Sequence, residues 1–397
     1  MNTIELSIMS RGPSTAADLH RLLEPFEKSH HVHVEIQVLT WDTAWAELVK
    51  MALYGHGPAI SEVGSTWIGN LVAMNALRPF APGELMALGG ADAFLAPAWR
   101  SGALANAAIM WAIPWLADTR ILYYRRDWLA RAGIAEDTAF ASPAQTDDTL
   151  RRLRESGVAQ PWAMATRATP NTLHNLSSWV WGAGGDFIDS TGQAVSFHQP
   201  AALAGLKAYF DLRRYLTPAT ADLASGDSNA LFREGKVGVI LSGPWVSYAL
   251  GRGEALPEVL DNVGAALPPG PPFVGGSHLV VWKNAADARL AVELIHQLTG
   301  HALQANYPSL TTGLLPTRLS ALEAVMVHPA HAQLTAALRA GRSFPTLLRW
   351  GLVEDKLVNV LGEIWAELKA QPATDLDALL HKKFDLLARR LEAILKQ

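Results

Sequence analysis

From Ile4 to Met9 apolar and polar residues alternate, which is the period of a half-buried strand. Arg11-Gly12-Pro13-Ser14 then turns the chain, and Ala17 to Lys28 carries apolar residues at helical spacing before closing at SHHVH. Val32, Val34, Ile36 and Val38 share one face of a second strand. Thr40-Trp41-Asp42 opens a helix from Thr43 to Tyr54, and Gly55-His56-Gly57-Pro58 stops it ahead of a third strand, Ala59 to Val63. Strands that alternate with helices of this length predict crossover units and a largely parallel sheet covered on both faces.

After Pro114 the pattern becomes helix-rich. Residues 127–133, about 145–156, 172–181, 200–215 and 228–234 read as helices divided by Gly, Pro and Asp. Val237 to Leu241, Val263 to Leu267 and residues 275–282 read as strands, and Asp287 to Leu303 as an amphipathic helix ending at Tyr307-Pro308. The stretches 332–340, 346–369 and 374–396 are helical in pattern. The uncharged run Ser101 to Ala117 is interrupted by Gly102, Asn106 and Pro114 and falls short of a membrane span, so it reads as buried strand and hinge. No repeat, low-complexity tract or Ser/Gly linker divides the chain, so short strands are expected to carry it between two lobes.

Composition narrows this picture. At 397 residues the chain exceeds one ordinary core, and 49% apolar with 18% charged residues excludes a disordered polymer. A net charge of −4 provides no basic face for a run of phosphates, which argues against nucleic acid as a partner. With no cysteine there can be no disulfide, thiolate nucleophile or Cys-based metal site. The N-terminal MNTIELSIMS lacks the charged and apolar regions of a signal peptide, so an exported native protein is expected to have lost its signal.

No His-Glu-x-x-His, Gly-x-Ser-x-Gly or Walker loop is present, and GAGGDF lacks the full dinucleotide spacing. His30, His31 and His33 cannot surround one ion from alternating strand positions and read as a solvated loop, as do His328 and His331. A glycosidase would need two acids, for which Asp118, Glu62, Asp186 and Asp189 are available, but no catalytic constellation emerges. Neither a catalytic residue, a metal nor a cofactor is expected.

Five stretches together resemble the bacterial extracellular solute-binding proteins of the maltose-binding type, which deliver sugars to ABC importers. FREGKVGVILSGPW (232–245) looks like the family's helix-Gly-Lys-strand-Gly-Pro-Trp signature, and LPPGPPFVGGSHLVVWKNAADARLAVELIHQLTG (267–300) its Pro-rich crossover, Gly-Gly strand and following helix. AIPWLADTRILYYRRDWLARAGI (112–134) is similar to the entry into the second lobe, although the family usually has Asn where Arg125 stands. WVWGAGGDFID (179–189) resembles the Gly-Gly turn, and LEPFEKSHHVHVEIQVLTWDTAWAELVKMALYGHGPAI the first lobe. The resemblance implies an α/β, two-lobed periplasmic-binding-protein fold of type II. Three crossovers would join residues 1–114 plus 266–317 to 115–265 plus 318–397, with a ligand cleft between lobes that close by a hinge. It implies a monomer on the periplasmic or extracellular face, binding a sugar and presenting it to permease subunits. The membrane would be met only through the permease or a native lipid anchor. Two alternatives share the scaffold: a charged solute (phosphorylated polyol or polyamine), or a carbohydrate-active enzyme.

The candidate residues follow from the chemistry of a hydroxylated ring. Its C–H face packs on indoles, while its hydroxyls need acceptors and forked donors. Trp245, on its Gly-Pro corner, is the first stacking candidate, with Trp41 in a βα loop, Trp115 beside the first crossover, and Trp350, which the resemblance places as a wall from the C-terminal lobe. Asp118 resembles the family's acidic ligand position, with a helix cap or hinge salt bridge as the plain alternative. Arg11, Ser65 and Thr66 follow strands at the sheet edge, where Ser65 or Thr66 could instead cap a helix. Gly275, Gly276 and Ser277 would let backbone approach the ligand, and His174 and Asn175 could offer hydrogen bonds from the second lobe. Of the fourteen tryptophans, Trp99, Trp128, Trp282 and Trp365 read as core.

Overall fold

A computed structural model describes residues 2–105, 107–189, 191–311, 313–324 and 330–395, with backbone only for 307–311. Its strands in chain order are β1 (Asn2–Met9), β2 (Val32–Leu39), β3 (Ile60–Gly64), β4 (Leu77–Arg78), β5 (Ile113–Thr119), β6 (Ile121–Arg125), β7 (Trp162–Ala163), β8 (Val239–Ser242), β9 (Val263–Ala266), β10 (Val274–Trp282) and β11 (Leu315–Pro316). The chain divides into two compact units. Unit 1 comprises Met1–Asp118, Val274–Met326 and Ser343–Gly351, and unit 2 comprises Thr119–Phe273, Val327–Arg342 and Leu352–Gln397.

Unit 1 holds the larger sheet, in the order β11-β5-β10-β3-β1-β2 with β4 also on β10. β1 runs parallel to β2 and β3, in a register that sets Met9 opposite Leu39 and Leu6 opposite Ile60. β10 returns antiparallel, with Ser277 opposite Gly64. Alternation sends Ile4, Leu6 and Ile8 into one core with Leu19, Leu23 and Phe26 of helix Thr15–His30 and with Leu294 and Leu298 of helix Ala288–Leu298. Met9, Leu39 and Val63 enter a second core on the other face with Ala44 and Leu48 of helix Trp41–Tyr54. That helix ends at Gly55, whose φ of 65° is the left-handed conformation a glycine cap supplies without a Cβ penalty. The amphipathic run after Asp287 is two helices, Ala288–Leu298 and His301–Thr311, divided at Thr299-Gly300.

Unit 2 carries a four-stranded sheet, β7-β8-β6-β9, under a shell of helices. Helices Pro170–Gly182 and Pro200–Asp211 approach so closely that a Cβ on Gly205 would fall 2.5 Å from the Trp179 carbonyl. Around that contact Trp179 meets Tyr209 edge-on, and Phe210 packs on Trp365.

The segment Ser343–Gly351 corrects an expectation, since the sequence assigned it to the C-terminal lobe. Ser343 Oγ donates to Val274 O at 2.8 Å, Thr346 Oγ1 to Ser101 O at 2.8 Å, and Gly69 lies against the Leu347 carbonyl. These long-range bonds hold the segment in unit 1, so the chain changes units at 118/119, 273/274, 326/327, 342/343 and 351/352, beyond the three crossovers expected.

Candidate ligand-binding site

In unit 1 the parallel register brings the C-terminal ends of β1, β2 and β3 side by side, the edge where open α/β sheets bind ligands. Trp41, the first residue of helix Trp41–Tyr54, stays 42% exposed there. Its ring lies 5.5 Å from that of Trp67 at a 59° tilt, and Trp67 in turn lies 5.6 Å from Trp45. Gly64 accommodates the pair, since a Cβ there would come within 3.3 Å of Trp67. Ser65 and Thr66 are half-buried in the 3-10 turn Ser65–Trp67. The cap positions of that turn and of helix Ile68–Ala73 are Gly64 and Trp67, so neither hydroxyl is spent as a cap. Ser277, within β10 and opposite Gly64, is wholly buried, and its Oγ has no partner among the described residues. Asp118 is half-buried inside β5, which removes the helix-cap alternative.

Several candidates are placed differently from the sequence reading. Arg11 does not extend into solvent. Its guanidinium pairs with Glu62, donates to Met9 O at 2.8 Å and lies 5.2 Å above the Trp115 ring, while Met9 N donates to Glu62 Oε2 at 2.7 Å. A carboxylate as buried as Glu62 needs this counter-charge, and that need commits the arginine to the fold. Trp115 is a core residue with no exposed surface, and its Nε1 donates to Leu298 O at 3.2 Å. Trp350 is 1% exposed, stacks on Phe344 at 4.7 Å and belongs to unit 1, so it is not a wall from the second lobe. Gly276 has φ +125°, and a Cβ there would stand 2.1 Å from Leu116 O, so close packing on β5 is what requires a glycine. Gly275 is buried beside it, and Asn175 is buried at 2% exposure within helix Pro170–Gly182.

In unit 2, β8 ends at Ser242, Gly243 caps the next helix and Pro244 is its first residue, so the Gly-Pro-Trp corner is a helix start as well as a strand end. Trp245 is half-buried, and its Nε1 donates to Ser242 Oγ at 3.0 Å. The Arg120 guanidinium lies 4.9 Å from its ring centroid. His174 stacks on Phe273 with centroids 4.0 Å apart, its Nδ1 3.4 Å from Arg120 Nη2 and its Nε2 3.5 Å from Glu354 Oε1. Sequence reasoning missed Arg120, Phe273 and Glu354. The available signal was an arginine set between the apolar runs Ile113–Ala117 and Ile121–Tyr124.

Of the four acids available to a glycosidase, three are otherwise occupied. Glu62 serves Arg11, Asp186 accepts from Arg342 at 2.7 Å and from Trp181 Nε1, and Asp189 shapes a turn through Thr191 and the Gln193 and Ala194 amides. Among the described residues no group of three or more His, Cys, Asp or Glu could hold a metal ion, and no helix is long and apolar enough to cross a membrane.

Each of the two α/β units carries a tryptophan at a strand-to-helix corner, Trp41 in one and Trp245 in the other. A family model described as bacterial extracellular solute-binding protein matches residues 21–336, and the chain belongs to that family. Its fold is similar to that of the sugar-binding protein MalE from Xanthomonas citri, with TM-score 0.83, 20% identity and coverage of 100% of this chain and 98% of that one. An ABC transporter solute-binding protein of Thermotoga lettingae bound with α-D-tagatose gives TM-score 0.80 at 19% identity, with both chains fully covered. In sequence the chain is 22% identical over 376 residues to the diacetylchitobiose-binding protein of Streptomyces coelicolor, spanning 89% of this chain and 82% of that one.

Proposed function

We propose that this chain is the substrate-binding component of an ABC importer, working on the periplasmic or extracellular side as a monomer, and that its ligand is a sugar. Trp41 and Trp245 are its stacking surfaces, and Asp118, Ser65, Thr66 and His174 supply polar contacts. The observation that carries this reading is Trp41: an indole left 42% exposed at a strand-to-helix corner, on the edge where α/β sheets take ligands. A ring presenting C–H groups on its faces and hydroxyls at its rim fits such an indole beside hydroxyl and carboxyl groups. Membership of a solute-binding family and likeness to sugar-binding relatives support the same reading.

Calorimetric titration with maltose, N,N′-diacetylchitobiose, tagatose and mannitol tests it. One of these should bind at one-to-one stoichiometry, raise the unfolding temperature and be recovered chemically unchanged. No heat and no thermal shift across the panel would sink the sugar reading. Binding of a polyamine or phosphorylated polyol with steep salt dependence would replace it with the charged-solute alternative, and new reducing ends on an oligosaccharide with the enzyme alternative.

A further inference from the structure

Arg120 is the single residue between β5 and β6, and only 2% of it is exposed. Its Nη1 donates to Thr119 O at 3.0 Å and its Nη2 to Asn171 Oδ1 at 2.9 Å, which fixes the plane of the guanidinium fork. The fixed cation lies 4.9 Å from the Trp245 ring centroid and 5.6 Å from that of Phe273. The polar end of the indole is also tethered: Nε1 donates to Ser242 Oγ at 3.0 Å, and that hydroxyl donates to Asn229 Oδ1 at 2.7 Å. The six-membered ring rests against Gly243, where a Cβ would fall 2.3 Å from it. Three independent contacts thus converge on one side chain at a helix start, where an indole otherwise has several rotamers open to it.

We propose that Arg120 is the positioning residue of Trp245, holding the indole in one orientation so that a sugar meets a preset surface and no ordering cost is left for binding. This rests on the reading of Trp245 as a stacking surface.

The test has a ligand-free arm and a ligand arm. With 5-fluorotryptophan incorporated, the Trp245 resonance is assigned by its disappearance in Trp245→Phe. In Arg120→Met that resonance should broaden or split while the signals of buried indoles such as Trp162 stay sharp, and Arg120→Lys, which keeps the cation, should show a smaller change. The ligand arm is a double-mutant cycle by calorimetry with whichever of maltose or N,N′-diacetylchitobiose binds the unaltered protein. Arg120→Met should weaken binding at least tenfold alone, but less than threefold in the Trp245→Phe background. An unchanged Trp245 resonance in Arg120→Met, or losses that simply multiply in the double variant, would overturn the proposal. If neither sugar binds the unaltered protein, the sugar reading is what suffers, and the fluorine spectrum still decides the positioning role.

Discussion

Arg11 in one unit and Arg120 in the other both lie beside a strand end with their side chains almost completely withdrawn from water, and the two are held by different physics. Arg11 in unit 1 pairs with Glu62, a fully buried carboxylate on a neighbouring strand that also accepts the Met9 amide. Arg120 in unit 2 spreads its charge over the Trp245 and Phe273 rings and an asparagine amide. Ion pairing with a buried carboxylate makes the arginine indispensable to the strands it joins, because either charge alone would be stranded. Stacking on an indole costs less to lose but fixes where an aromatic surface points. Unit 1 therefore uses its arginine for stability, and unit 2 uses its own for orientation.

The sharpest way to break this comparison is Arg11→Met, which should cost about 3–5 kcal/mol by leaving Glu62 buried and unpaired. Urea unfolding would measure it, and Arg11→Met/Glu62→Leu should recover most of the loss. A single variant no less stable than the double would show the pair to be idle. Trp350→Ala should cost about 3–5 kcal/mol as a core truncation.

The next effect is on pH. Burial in unit 1 pushes the His278 imidazole down from 6.5 to about 4, opposed by its hydrogen bond to Ala98 O. The unfolded chain accepts a proton near pH 6.5 that the folded chain refuses until about 4. Stability from this residue is thus fully present above 6.5 and shrinks, by on the order of 3 kcal/mol, as pH falls toward 4. Unfolding midpoints between pH 7 and 4.5 should show that slope, and His278→Gln should flatten it.

Smaller in free energy, but decisive for unit 2, is Gly243→Ala. The added Cβ would displace the Trp245 ring and should weaken sugar binding about tenfold, roughly 1.4 kcal/mol. The smallest stability effect belongs to Trp41→Ala: under about 1 kcal/mol by thermal unfolding, because the ring is already 42% exposed, although sugar affinity should fall more than tenfold.

The β-α-β-α-β opening was readable because alternation and helical spacing are local signals, and β1, β2 and β3 formed where those patterns put them. Burial of individual tryptophans was not. Trp41 immediately precedes Asp42 and Trp115 stands three residues before Asp118, and only the pairing of distant strands makes one a surface and the other a core residue. Arg11 looked like a ligand donor because its partner Glu62 lies 51 positions away. Reading Gly-Pro-Trp as a corner alone overlooks the helix Pro244–Gly251, although a proline at its first position is a helix-start signal. Arg120 was not singled out because the rings it lies against, Trp245 and Phe273, are far along the chain.

The return of Ser343–Gly351 to unit 1 has a consequence for how the molecule is made. Ribosomal synthesis and any vectorial passage across a membrane proceed from the N-terminus. The first unit to emerge therefore waits for Trp350 to close its packing, by which time all of the second unit except its last segment, Leu352–Gln397, is available. A nascent chain arrested before that residue should offer the unfinished first unit to chaperones and proteases.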